Sequence, residues 1–235
     1  MLSATVNSRL LKKVIKASNA FLNETRVRIS EEGIAIRAVD AGNICLTDIF
    51  MPKEDFEVFN AKEGVIGINV SRLNDVLKAV KDDFVEIECN RELKLKAAKT
   101  TYSLALIDPA SLKAEPKLPV LDLKAEVVVE GNEFKNAVLM ASKVADNVVF
   151  SADDGFHMIA EGDIEDVRIG LDGYSGEQAR VMLSMEYLKE IAKVVDKDDV
   201  IRIAIGNDLP IRISIESEFS TTILYFIAPR IEVER

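Results

Sequence analysis

An α+β chain of two like domains, each with antiparallel sheets and two helices, is predicted by three features of this 235-residue sequence. The first is an internal repeat at about half the chain length, the mark of a duplicated unit. The second is apolar alternation with a period of two between the helical stretches, which is strand patterning. The third is the short spacing between those strands, which suits hairpins, while two helices per half are too few for a doubly wound parallel sheet.

The repeat begins in Leu11–Asp40 and returns in Phe134–Asp163. Each gives an amphipathic helix, a short turn, an alternating strand, an acidic turn, a second strand and a terminal Asp. The turns are Glu31-Glu32-Gly33 and Asp153-Asp154-Gly155, whose glycines lie 122 residues apart, with a two-residue slip in the helix. A second pair, Ser71–Glu88 and Ser184–Ile203, agrees at an offset near 115. The helices are expected over Ser8–Leu22, Ser71–Lys81, Glu133–Ala145 and Ser184–Val195. In the first half, strands are expected at Thr25–Ile29, Ile34–Val39, Cys45–Met51, Val65–Val70, Phe84–Glu88, Leu93–Ala98 and Ser103–Leu106. The second half should hold them at Glu126–Val129, Val148–Ser151, Phe156–Ala160, Val167–Leu171, Arg180–Leu183, Val200–Ile205, Ile211–Ile215 and Thr221–Ile227. Between the halves, Asp108–Leu123 carries three of the six prolines, so it reads as an extended, stiff connector and cannot be a central strand. The division is therefore 1–107, a connector at 108–123, and 124–235.

Charge is segregated along the same lines. The net charge is −10, yet the four helices hold 11 Lys/Arg against 4 Asp/Glu. Arg9, Lys12, Lys13 and Lys16 fall at i, i+3, i+4 and i+7, so one face of the first helix is basic. Leu11, Val14, Ile15, Phe21 and Leu22 form its apolar stripe. A chain that repels polyanions overall but gathers cations on a few helices presents a local surface for phosphates, although a single basic face is also ordinary solvated surface. No apolar run approaches a membrane span. The first residues lack the apolar core of a signal peptide, so Cys45 and Cys89 read as reduced core residues of an intracellular protein.

Catalytic constellations are missing from the pattern. The sole histidine, His157, lies on an alternating strand and reads as an ordinary strand residue. Phosphate-loop, dinucleotide, nucleophile-elbow and Cys/His metal spacings are all absent. The acidic pairs Glu31-Glu32, Asp82-Asp83, Asp153-Asp154 and Asp198-Asp199 recur at module junctions, where turn chemistry accounts for them. Paired carboxylates could also hold Mg²⁺. The reading is of a protein that is no enzyme and carries no cofactor or metal.

Four separated segments carry a resemblance. Leu224-Tyr-Phe-Ile-Ala-Pro-Arg-Ile-Glu232, Arg37-Ala-Val-Asp-Ala-Gly-Asn-Ile-Cys-Leu46, Gly67-Ile-Asn-Val-Ser-Arg-Leu73 and Leu104-Ala-Leu-Ile-Asp-Pro109 together resemble sliding DNA clamps of the proliferating cell nuclear antigen (PCNA) type in their archaeal form. The resemblance covers the whole chain and implies the DNA clamp fold. Three two-domain subunits would join head to tail into a ring, with antiparallel sheets outside and four helices per subunit lining the hole. It implies a processivity factor for DNA replication and repair, cytoplasmic and nucleoid-associated, with no catalysis of its own.

The expected DNA-facing residues are Arg9, Lys12, Lys13, Lys16, Arg72, Lys78, Lys81, Lys135, Lys143, Lys189 and Lys193. They should touch phosphates of duplex DNA without reading bases. The fourth helix, with Glu186 and Glu190 beside its lysines, contributes least. The resemblance further implies a clamp loader that opens the ring. DNA polymerase, flap endonuclease and DNA ligase would bind through PCNA-interacting peptides of the form Q-x-x-[LIM]-x-x-[FY]-[FY]. Carried over by position, the peptide pocket takes Val39, Asn43, Ile44, Leu46, Leu118, Pro119, Val120, Pro210, Phe226, Ile227, Ala228 and Pro229. The residues give a parallel argument: connector and tail have no helix of their own to cover them, and both are rich in apolar residues and Pro. For Ile44, Leu46 and Ile227, closing the core is the competing role. The subunit joint falls on Thr101, Tyr102, Ser103, Leu104 and Leu106 of one copy, with Tyr174 and Arg180 facing them.

One departure stands out. Asp172–Leu183 is several residues shorter than in clamps of this type, and the expected loss is from an edge strand that pairs across the joint. A homotrimer with weakened joints follows. The alternatives are a clamp paralogue that acts only in a heterotrimer and a Mg²⁺-dependent nucleic-acid-processing enzyme.

Overall fold

The computed structural model describes residues 2–230, so Ile231 and Glu232 of the C-terminal motif lie outside the described residues. The chain forms two compact units. One runs to Lys117 and takes in Phe219–Ile223; the other runs from Leu118 to Glu218 and resumes at Leu224.

In the first unit, β1 (Leu2–Asn7) leads straight into α1 (Ser8–Asn19), and five strands follow. They are β2 (Glu24–Ser30), β3 (Gly33–Val39), β4 (Cys45–Pro52), β5 (Phe56–Ala61) and β6 (Gly64–Asn69). Then come α2 (Val70–Ala79), β7 (Phe84–Cys89), β8 (Glu92–Ala97) and β9 (Thr100–Ala105). The second half repeats that order: β10 (Ala125–Glu130), α3 (Gly131–Ala141), β11 (Asn147–Ala152), β12 (Phe156–Glu161) and β13 (Asp166–Leu171). It continues with β14 (Tyr174–Gly176), β15 (Ala179–Ser184), α4 (Met185–Val194), β16 (Val200–Ile205), β17 (Ile211–Glu216) and β18 (Thr222–Ile227).

Strand order is duplicated as well. The first unit has runs β5-β1-β7-β8-β9 and β4-β3-β2-β6; the second half has β14-β10-β16-β17-β18 and β13-β12-β11-β15. Pairing is antiparallel from β14 to β17 and along the other three runs, as in Leu2↔Cys89 and Val127↔Ile203. The strands alternate buried and open residues, β10 reading Ala125, Val127 and Val129 inward. Helices pack in pairs, α1 on α2 and α3 on α4, each within its own unit. Leu10, Val14, Leu73 and Leu77 are buried in one unit, and Phe134, Val138, Leu188 and Ile191 in the other. Helix entry is set by side chains in the first unit, where Asn7 Oδ1 accepts from Arg9 N and Asn69 Oδ1 from Arg72 N, both at 2.8 Å.

Three strands escape the sequence pattern: β1, β5 and β14. The helices are also shorter than their periodicity suggests. α1 stops at Asn19, so Phe21 and Leu22 lie beyond it, and Lys81 and Lys143 lie past the ends of α2 and α3.

The short 172–183 segment holds one whole strand, at the outer end of its own run. The strand it contains, β14, pairs with β10 of its own unit, Tyr174 opposite Val127. It is three residues long because Gly173 and Gly176 bracket it with φ of +83° and +123°. A Cβ on Gly176 would sit 2.2 Å from Lys124 O, so only glycine allows that approach. The edge of the four-stranded run belongs to β13, which keeps six residues.

Candidate nucleic-acid interface and docking surface

The basic helix residues divide by what holds them. Lys12 Nζ donates to Val80 O at 2.6 Å, and Lys135 Nζ donates to Val195 O at 3.0 Å. Val80 and Val195 are the C-cap residues of α2 and α4. In each unit, then, a lysine from the first helix closes the carbonyl end of the second, where a cation is favoured by the helix dipole. The repeat reproduces this link, and neither periodicity nor charge count could reveal it. Lys78 pairs with Asp75 at 3.0 Å and Lys193 with Glu190 at 2.6 Å, each one turn apart on an exposed surface. Lys13 is buried, which departs from the open basic face drawn from the sequence. Arg9, Lys16, Arg72, Lys81, Lys143 and Lys189 are exposed. Leu139 and Met140, 55% and 53% exposed on α3, put an apolar pair between Lys135 and Lys143 along the chain.

The proposed docking residues also sort by burial. Around the β3–β4 loop, Asn43 adopts φ of 56° and Ile44 is 41% exposed, while Leu46 is buried. Asp40 Oδ1 shapes that loop by accepting from the backbone N–H of Ile44 and Cys45, at 2.7 and 2.9 Å. Val39 is half-buried at the end of β3. In the second unit Leu118 and Val120 stand open, Val120 completely, and Pro119, Pro210, Ala228 and Pro229 are half-buried. Phe226 and Ile227 are buried. The core-closing role therefore applies to Leu46 and Ile227 but not to Ile44.

The first half of the connector is fastened to the first unit by cations. Arg26 Nη2 donates to Leu112 O at 2.8 Å. Glu115 lies 3.4 Å from Arg28 and 3.6 Å from Arg37, and Arg37 Nε also reaches Asp48 Oδ1 at 2.7 Å. Lys113 Nζ donates to Asp40 O and Asn43 Oδ1, both at 3.1 Å. Sequence reasoning missed this clasp because its partners lie far apart along the chain.

Of the residues expected at the joint, Thr101, Tyr102, Ser103 and Leu104 lie on β9, the outer strand of its sheet, with Leu106 just beyond. Tyr102 and Leu104 line a groove of about 570 Å³ with Val76 and Arg72 of α2. Tyr174 is turned to its own unit: its hydroxyl donates to Gly176 O and Glu177 O at 2.9 and 3.2 Å. Arg180 lies on β15, at the opposite end of the four-stranded run from β13.

Two titratable features bear on the surface. Glu133, at the start of α3, is raised above the usual carboxylate range by burial, then by Asp172 and Glu130. Cys45 and Cys89 are free and buried, and burial pushes both thiols up. Among the described residues, no group of three or more His, Cys, Asp or Glu could hold a metal ion, and no helix is long and apolar enough to cross a membrane.

The family of the proliferating cell nuclear antigen N-terminal domain matches residues 1–108. The chain is 36% identical over 245 residues to the DNA polymerase sliding clamp of Archaeoglobus fulgidus, covering 100% of both chains. It is 35% identical to the sliding clamp of Methanococcoides burtonii, covering 99% of each. Among solved structures, A. fulgidus PCNA with the C-terminal region of FEN-1 bound superposes with a TM-score of 0.95 at 35% identity, over 100% of both chains. PCNA of Thermococcus kodakaraensis, at 24% identity and a TM-score of 0.90 over 98% of this chain and 100% of that one, shares the fold. With the repeated strand–helix order in place, these full-length matches show that the chain belongs to the PCNA family of DNA polymerase sliding clamps.

Proposed function

We propose that this chain is a subunit of a ring-shaped DNA clamp, a processivity factor that encircles duplex DNA and tethers replication and repair enzymes by their docking peptides. The observation that carries this is the end-to-end likeness to archaeal DNA polymerase sliding clamps, unbroken over both units. The functional division runs 1–107, connector 108–123, and 124–235.

The exposed helix cations Arg9, Lys16, Arg72, Lys81, Lys143 and Lys189 meet phosphates. Lys12, Lys13, Lys78, Lys135 and Lys193 add field while bonded or buried within the protein. A ring holds DNA by topology and needs little affinity, so few phosphate contacts suffice. Polymerase, flap endonuclease and ligase dock through the exposed Ile44, Leu118 and Val120 together with the half-buried prolines. A clamp loader opens the ring, and the chain itself performs no catalysis.

Three copies join through the outer strand β9 of one and the outer strand β13 of the next. Because the shortened segment falls on β14, it takes no backbone group from β13, and the joint is not weakened by that loss.

The test is retention on circular DNA after loading, with molar mass measured by light scattering over a dilution series. Retention that ends when the circle is cut, with a mass three times that of the 26.0 kDa chain, is expected. A monomer at every concentration would move the assignment to a heterotrimeric paralogue. Degradation of primed DNA with Mg²⁺ by the pure protein would overturn the non-catalytic reading.

A further inference from the structure

A second pocket of about 570 Å³ lies wholly within the first unit, walled by β2, β3 and the fastened half of the connector. Arg26, Arg37 and Lys113 line it, and Val39 forms part of its margin. Arg37 and Lys113 are engaged with Asp48, Glu115, Asp40 and Asn43, as described above. Arg26 is different. Its Nη2 reaches Leu112 O, but its Nε is shut off from solvent and has no hydrogen-bond partner. An unpaired guanidinium N–H held out of water is costly, so the group calls for an acceptor that the described residues do not supply.

We propose that this pocket is a subsite for one acidic side chain, Asp or Glu, in the flank of the docking peptide, with Arg26 as the residue that recognises it. The proposal rests on the docking reading above. Val39, one of the residues assigned to docking, also lines the pocket, so the two surfaces are continuous within the first unit. The chemistry selects a carboxylate because its two oxygens match the Nε–Nη2 edge of a guanidinium, whereas a carbonyl offers a single acceptor. As the carboxylate arrives, Leu112 O leaves Nη2 and the connector backbone draws back from that edge of the guanidinium; one carboxylate oxygen then takes Nη2, the other takes the uncovered Nε, and the freed carbonyl turns to water. Two resident carboxylates, Glu24 and Asp40, share the pocket. Oδ1 of Asp40 is already taken by the Ile44 and Cys45 amides. Glu24 is engaged as well, its Oε1 accepting from Asn69 Nδ2 at 3.2 Å.

The test is calorimetric titration of the full-length protein with peptides that carry the docking motif. Glu is compared with Gln at each flanking position in turn, at a low salt of about 50 mM so that surface charge is not fully screened. At one position Glu should bind about tenfold more tightly than Gln, a gap of about 1.4 kcal/mol. The gap should vanish in Arg26→Gln and shrink to a few-fold in Arg26→Lys, which keeps the charge but loses the fork. Equal binding of Glu and Gln at every position overturns the subsite, as does a gap that survives Arg26→Gln. Because the Glu/Gln comparison is made on the unaltered protein, it decides the matter even if the arginine variants fold poorly. A motif peptide without flanks that fails to bind overturns the docking reading itself, and the subsite with it.

Discussion

Replacing Lys12 by Met keeps the aliphatic stem and deletes only the ammonium that closes α2. The 2.6 Å bond to Val80 O is charge-assisted and partly buried, and Val80 itself is 5% exposed. A hydrogen bond to a charged group contributes about 1.5–3 kcal/mol where it is shielded. A cation at a helix C-terminus adds about 0.3–1 kcal/mol where it is exposed. Partial solvent access places the Lys12 link between these, at about 1–2 kcal/mol. The chain has no tryptophan, so urea unfolding is best followed by far-ultraviolet circular dichroism. Lys12→Met should lower the stability of the first unit by that amount, whereas Lys189→Met, on open surface, should stay within about 0.5 kcal/mol. Lys135→Met should behave like Lys12→Met in the second unit, with a smaller loss for its longer 3.0 Å bond. An unaltered urea midpoint for Lys12→Met would refute the capping role. A salt slope for duplex DNA that flattens by one whole phosphate in the same variant would return Lys12 to the DNA surface.

Other outcomes follow from the same geometry. Arg72→Ala should flatten the slope of log affinity against log salt for duplex DNA by roughly 0.9 for each phosphate left without its cation, with little change in stability. The turn glycines Gly33 and Gly155 share φ near +150° and +156°, but a Cβ on Gly33 meets Met51 O at 2.1 Å while one on Gly155 meets the His157 ring at 3.1 Å. Gly33→Ala should therefore cost more than about 3 kcal/mol and Gly155→Ala clearly less, since a side chain can move aside and a ladder carbonyl cannot. Glu133 has its folded pKa raised, so its ionised form opposes folding. That penalty is full above the folded pKa, fades as pH falls through it, and is gone below the ordinary carboxylate value of about 4.3. Glu133→Gln should raise the urea midpoint at neutral pH and lose its advantage near pH 4; an advantage that persists in acid would discard burial as the cause.

Why some elements were legible and others were not has physical reasons. Thr25–Ile29 and Leu93–Ala98 advertise themselves because one face is buried and the other more open, so alternation survives in the sequence. β1 hides because Ser3, Thr5 and Asn7 lead without a break into the α1 cap. β14 hides because three residues are too few to show a period. The basic helices were visible as charge, but the sequence could not distinguish a lysine that faces solvent from one that reaches a carbonyl 60 or 68 residues away. The docking surface was visible as an apolar composition. Only packing separates the buried Leu46, Phe226 and Ile227 from the open Ile44 and Val120. The arginine clasp on the connector left no local trace, because β2, β3 and residues 112–115 meet only once the chain has folded.

The burial of both cysteines also makes this chain a convenient spectroscopic scaffold. Native Cys45 and Cys89 are closed to solvent and, with their thiols held protonated, offer no thiolate to a maleimide. A single Lys117→Cys substitution, at an exposed connector position outside the docking residues, would then be the one reactive thiol of the folded protein. One fluorophore per subunit could be placed there without first removing the native cysteines, and the traffic of partners over the connector could be followed one molecule at a time.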